Sequence, residues 1–398
     1  QGKGLEHHEI LKVQLMRGEK EQDYLTHIWN LASMMDHPII AKEENQDEAC
    51  YRQFYEEAIS LCRQKRFHAV LEKCRYTSLD DEEEYSIDVI QPEKIEFKQN
   101  SYEDGENSII SFPEFLLLVL DVCTGGEQPA SHYQPDKLIE KFDALKTHFT
   151  AGEFYEKMLY YRLLLDYYTI RRDIKDGQGN YSLILKGPKD DNDKLKQYQS
   201  MLYVSTEAFY NWLKPYLRKL EQDELQSCAE MLAFLKKEDN ERHSILPARK
   251  DLSYKASGNI RYWFWRLDYY LWEQRSTFFN EEEQKIVEHY VFRRNRSIEH
   301  LHPQDESHNE EWEEEAVHSF GNLAMISQSF NSQQSNDHIQ IKFARIHEQI
   351  SNKSLQSIKM FLMCKLADFN YQNWTMKLAK EHENEMIEFL ERSFYISD

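Results

Sequence analysis

The chain has 398 residues, 49 of them Lys or Arg against 70 Asp or Glu, for a formal net charge of -21. Phosphate backbones are held by Lys and Arg, so this balance excludes a protein that coats itself in nucleic acid; any such contact must be local. Mean hydropathy is -0.77, and no apolar run approaches the ~20 residues that cross a bilayer, so no membrane partner is expected and a cytoplasmic location is.

Gln1 to Leu5 carries neither an initiator Met nor an apolar signal segment, so the true N-terminus is expected upstream. Glycine and proline are scarce, 12 and 9, which favours long helices over sheet. Apolar residues at helical spacing open the chain at Ile10, Val13, Leu15 and Met16. They recur at Phe54, Ala58, Ile59, Leu61, Val70 and Leu71, and again at Phe154, Met158, Tyr161, Leu164, Leu165, Tyr168 and Ile170. Breaks fall at residues 80–84, 100–107, 125–134 and 173–193. The last holds Gly177, Gly179, Gly187 and Pro188 among Asp and Asn and reads as a loop or short hairpin. The six cysteines, Cys50, Cys62, Cys74, Cys123, Cys228 and Cys364, form no Cys-x-x-Cys pair, which excludes a zinc ribbon and leaves reduced, structural thiols.

Residues 258–272 are densely aromatic. A buried helix is expected there, because aromatics bring a large apolar area to a core. A base-stacking platform would need exposed rings among basic residues, and only Arg261 and Arg266 supply charge. After Glu273 the pattern changes: residues 287–292, 297–301 and 322–326 are short β-prone runs, and helical spacing resumes near Ile339. The expected architecture is mainly α, with a large helical domain over 1–275 and a small strand–loop–strand–helix domain with C-terminal helices over 276–398.

The residues that carry chemistry lie in this second part: Ile298-Glu299-His300 with Pro303-Gln304, then His318, then Gly321-Asn322-Leu323, then Asn331-Ser332. Phosphodiester hydrolysis needs an activated water, a cation to neutralise developing charge, and groups that hold both in place. A neutral imidazole near its unperturbed pKa of ~6.5 can take a proton from water, which suits His300. Glu299 and Asn331 offer the hard oxygens that Mg²⁺ or Mn²⁺ prefers. Asn322 suits a structural amide that pins the long loop and keeps His300 in its working orientation, with His318 as a second polar support. Neighbours on one strand point to opposite faces, so Glu299 and His300 converge only if the adjoining loop and helix reach round.

This ordered set, together with Asn336 and Lys342, resembles the C-terminal HNH (ββα-metal) nuclease domain catalogued as domain of unknown function 1524, found in GmrSD-type restriction and phage-defence proteins. The tail from Ser354-Leu355-Gln356 through Trp374 to Leu390 is similar to that family's C-terminal helices. Upstream, residues 2–12 resemble the end of the family's ParB/sulfiredoxin-like NTPase domain, catalogued as domain of unknown function 262. Ser111-Phe112-Pro113, Arg162 with Leu165-Asp166, and Gln199-Ser200-Met201-Leu202 with Trp212-Leu213 look like the helical middle of its longer members. The NTPase site itself would precede Gln1. The resemblance implies a Mg²⁺- or Mn²⁺-dependent DNA endonuclease with His300, Asn322 and His318 in catalysis and Glu299 and Asn331 on the metal. Glu299 stands where many HNH sites have Asp, and Asn331 where others have His. The alternative is an inactive HNH-like module that senses nucleic acid or serves assembly, and a homo-oligomer fits either reading.

Two charged segments flank the motif. Arg293, Arg294 and Arg296 before the first strand, and Lys342 and Arg345 on the later helix, are the expected phosphate contacts. Residues 305–315 are densely acidic without Lys or Arg; such a run is usually a solvated surface, and the sharper reading is an autoinhibitory lid.

Overall fold

The protein is described by a computed structural model covering residues 6–40, 42, 46–74, 105–174, 181–205, 207–294, 296–304, 312–327 and 339–396. It is mainly helical. In chain order the helices are α1 (His7–Met16), α2 (Gln22–Ser33), α3 (Glu48–Arg63), α4 (Phe67–Cys74), α5 (Phe112–Cys123), α6 (Leu138–Leu145), α7 (Ala151–Tyr168), α8 (Asp193–Val204), α9 (Phe209–Glu221), α10 (Cys228–Arg242), α11 (Arg261–Glu273), α12 (Arg275–Phe278), α13 (Glu281–Val287), α14 (Glu314–Val317), α15 (Ile339–Ser351), α16 (Ile358–Leu366) and α17 (Met376–Arg392). Five short strands accompany them: β1 (Gly105–Asn107), β2 (Arg171–Ile174), β3 (Tyr181–Ile184), β4 (Arg296–His300) and β5 (Leu323–Ser327). No described helix is long and apolar enough to cross a membrane.

The chain divides into two compact units, Gln1–Asn192 with Ala208–Met231, and Asp193–Glu207 with Leu232–Asp398. The second unit therefore takes in helical segments that precede residue 276.

In the first unit, α5 and α7 are started by capping boxes. Ser111 with Glu114, and Thr150 with Glu153, each satisfy orphan amides at a helix start. Their Leu- and aromatic-rich bodies are buried on nearly every face. The apolar stretch from Phe54 to Leu71 is two helices rather than one, because Lys65 sits at φ 58 between them. β2 pairs antiparallel with β3, and β1 adds a third antiparallel strand, in the order β1-β2-β3. Asp166 is fully buried between Arg162 and Arg171, and those guanidiniums also donate to the carbonyls of Ala32, Met34 and His37, and of Met35 and Glu106.

The second unit is built on α11. Tyr262, Trp263, Phe264, Trp265, Tyr269 and Trp272 are each at most 5 % exposed, so the aromatic segment is core and presents no stacking platform. Arg266, one of its two basic residues, is also buried, with Asp239 of α10 as its counter-ion at 3.4 Å. Tyr198 and Tyr262 donate to the same Asp239 oxygen, each at 2.7 Å. Residues 287–292 form no strand, contrary to their β-prone composition. Asn280 and Glu283 make a capping box that starts α13, and Val287 is its last residue. The strands expected near 297–301 and 322–326 are present as β4 and β5, antiparallel, with Glu299 opposite Ala324 and His300 opposite Leu323. A core of Leu301, Val317, Ile326, Phe343, Met363 and Trp374, among others, joins this hairpin to α15, α16 and α17. At roughly 1.5–3 kcal/mol for each large apolar side chain buried, this is what fixes the hairpin in place.

Candidate active site

Strand alternation decides the layout. Glu299 and His300 are both buried, and they make contacts on different sides of β4. Glu299 meets α15, where the Lys342 ammonium pairs with its Oε1 and also donates to the His300 carbonyl at 2.6 Å. His300 meets the loops. Its Nε2 lies 3.0 Å from Nδ1 of His318, and its Nδ1 lies 2.9 Å from the amide nitrogen of Gln304. An amide nitrogen only donates. His300 Nδ1 therefore accepts, and the ring proton sits on Nε2, donated to His318. Burial, then the neighbouring His318 and Lys342 charges, push the His300 pKa down to about 3, so this imidazole is neutral. Burial also lowers the pKa of His318, with Lys255 adding to it.

The His318 backbone is fixed from outside the motif: Ser253 Oγ and the Tyr254 amide both donate to its carbonyl at 3.0 Å. The Tyr254 ring lies edge-on to His300, with centroids 4.5 Å apart. Asn322 is fully buried and uses its whole amide. Nδ2 donates to the carbonyls of His302 and Val317, each at 2.9 Å, while Oδ1 accepts from the His302 amide at 2.8 Å and the Trp374 indole at 3.1 Å. Asn322 is itself held by its neighbours. Lys359, fully buried, donates to Phe320 O at 2.8 Å and Leu323 O at 2.6 Å, on either side of it. Gly321 lets α17 approach, since a Cβ there would stand 2.1 Å from the Ala379 carbonyl oxygen.

Lys359 gives a pH test of this packing. Burial pulls its pKa down to about 7, against the raising charges of Asp268 and Glu383. Below about 7 the ammonium is charged in folded and unfolded chains alike. Between there and the ordinary value of 10.5 the unfolded chain binds the extra proton, so stability rises with pH across that window. The stability of the wild type relative to Lys359→Met, followed by thermal unfolding, should move in favour of the wild type from pH 7 towards 10; a flat difference would mean the ammonium is not desolvated.

The other expected site residues are scattered. Asn331 lies outside the described residues, as do Asn336, the side chain of Arg296 and residues 305–311. Arg293 is exposed. Arg294 stacks on the Tyr203 ring at 4.0 Å and donates to its carbonyl, and Arg345 is half-buried on α15. Lys342, expected to meet phosphate, is instead 1 % exposed and serves as the internal counter-ion of Glu299. Among the described residues no group of three or more His, Cys, Asp and Glu side chains could hold a metal ion. Glu299 is the right kind of donor for a hard cation. It would need Asn331 and water to complete the set, and the ammonium now on its Oε1 would have to give way. Sequence reasoning missed Tyr254, Ser253 and Lys359, which carry no motif signal, and the contact of Gln304, which stood inside the motif.

A strand bearing Glu-His, a second strand opened by Asn322, and a helix against the hairpin thus occupy one stretch of chain. Residues 236–389 match the family described as GmrSD restriction endonucleases, C-terminal domain. This segment is similar to the C-terminal domain of GmrSD-type restriction endonucleases. The match begins within α10 and so includes α11 and the Asp239–Arg266 pair as well as the hairpin. It supports a nuclease of a restriction system as the coarse function of the GmrSD-type domain. No curated protein and no solved structure matches the chain.

Proposed function

We propose that the GmrSD-type domain is an HNH endonuclease of a restriction or phage-defence system that cleaves DNA with the help of Mg²⁺ or Mn²⁺, with His300 as general base. The observation that carries this is the buried pair of His300, at the end of β4, with His318, just after α14, in which the neutral His300 imidazole accepts a hydrogen bond at Nδ1. The Gln304 amide and a water molecule are both donors, so a water would take the place of the amide on Nδ1, and the cation beside it would supply the acidity that so weak a base requires. Asn322 acts as a positioning residue, because it ties both ends of the loop bearing Gln304 and His318 to β5. A cation held by Glu299 and Asn331 would neutralise charge on the phosphate. An NTPase domain upstream would control cutting.

Nicking of supercoiled plasmid DNA tests the proposal. Cleavage should require Mg²⁺ or Mn²⁺ and stop in EDTA, while Ca²⁺ should occupy the site with little turnover, being larger and looser in its geometry. Unchanged nicking in EDTA would remove the metal from the reading. A second reading, a DNA-sensing module without catalysis, is favoured by the Lys342–Glu299 ion pair, which already neutralises the metal-site carboxylate. Full DNA binding without nicking in either metal would favour it.

A further inference from the structure

The described end of the acidic run has a defined position. Trp312 is buried and stacks on His302 with ring centroids 4.1 Å apart, and from this anchor Glu313, Glu314 and Glu315 emerge at the surface. They emerge among cations. Glu314 pairs with Lys255. Glu313 and Glu315 line a cleft of about 590 Å³ together with Arg249, Lys250, Lys377 and Lys380. The three lysines of the cleft are exposed, and among the described residues Lys250 and Lys380 are in no ion pair; Lys377 pairs weakly with Glu381 at 3.8 Å. Arg249 leans on Asn384 and on Glu383, 3.7 Å away, which also lines the cleft. The cleft borders the candidate active site, because its wall includes Ser253, which holds the His318 carbonyl, and Ser319.

Carboxylates and phosphodiesters present the same feature to a basic cleft, a negatively charged oxygen. We propose that this cleft is the binding surface for the phosphodiester backbone of DNA, anchored by Lys250, Lys377 and Lys380 with Arg249, and that Glu313 and Glu315 on its wall, with Glu314 beside them, oppose the strand electrostatically. The inference rests on the nuclease reading and moves the phosphate contacts away from Lys342, which is buried, and Arg294, which is engaged with Tyr203. It also gives Glu313, Glu314 and Glu315 a role: they repel the strand, and the repulsion weakens as salt screens it.

The test is fluorescence anisotropy of a labelled DNA duplex on the full chain, across a salt titration, alongside plasmid nicking. Lys250→Ala/Lys377→Ala/Lys380→Ala should bind at least about 10-fold more weakly and lower the slope of log affinity against log salt by about 3, near one per phosphate contact. The matched charge change Lys20→Ala/Lys137→Ala/Lys146→Ala, on exposed lysines of the first unit, should leave binding within about 2-fold, because the contacts are assigned to the cleft and not to net charge. Glu313→Gln/Glu314→Gln/Glu315→Gln should bind several-fold more tightly at low salt, with the gain shrinking as salt rises. Wild-type affinity and slope in the cleft variant, with nicking intact, would overturn the cleft and leave the nuclease standing. Equal affinity of the parent and the Gln variant at every salt would overturn the opposition by the three glutamates. No binding and no nicking by any form would sink the nuclease reading and this inference with it.

Discussion

His300→Ala is expected to lower the rate of plasmid nicking by about 10²- to 10⁴-fold, the usual size of general-base catalysis, while circular dichroism and melting stay close to wild type. The structural side of this is specific. His300 contributes its ring to contacts with His318, Gln304 and Tyr254. Its backbone carbonyl, which receives the Lys342 ammonium, survives the substitution, so Glu299 keeps its counter-ion. Wild-type nicking by His300→Ala would remove the base from the proposal. Loss of nicking accompanied by loss of the melting transition would mean that the ring holds the fold, and Gln304→Ala would then be the cleaner probe of the same lone pair.

The second large effect is on stability. Asp239→Ala should cost about 3–5 kcal/mol in chemical denaturation, the range found when one partner of a buried ion pair is removed. The reason is what is left behind: Arg266 is buried in the aromatic helix and would retain only neutral oxygens, those of Asn240, Ser393 and Tyr262 at 2.8, 3.0 and 3.1 Å. Tyr198 and Tyr262 would lose their common acceptor as well. Replacing both members by Leu should recover most of the loss, because the penalty belongs to the uncompensated charge. A single variant as stable as the wild type would show that water reaches Arg266.

Much of this architecture was legible in the chain. Helical spacing marks α1, α3, α7 and α15, and the order of β4, β5 and α15 follows from short β-prone runs ahead of the periodic segment at Ile339. Composition alone misleads at one place. Residues 287–292 look like a strand by content, but Asn280 and Glu283 start a helix that runs through Val287. In the candidate site, Glu299-His300 and Asn322 could be picked out because the chemistry needs those groups in that order. The destination of Lys342 could not, since periodicity places it on a helix face but says nothing of a carboxylate 43 positions earlier. For the same reason Tyr254 and Lys359 were invisible: each acts on the backbone or ring of a residue far away in sequence.

The Asn322 amide has one more consequence. By bonding to both His302 and Val317 it acts as a clasp at the two ends of the intervening loop, and the Trp374 indole locks the clasp from α17. The clasp therefore sets where both ends lie, and through them the Gln304 amide against His300 and the Trp312 ring against His302. One broken bond at Asn322 would slacken both ends together, so a defect in α17 is felt at a histidine far away in sequence.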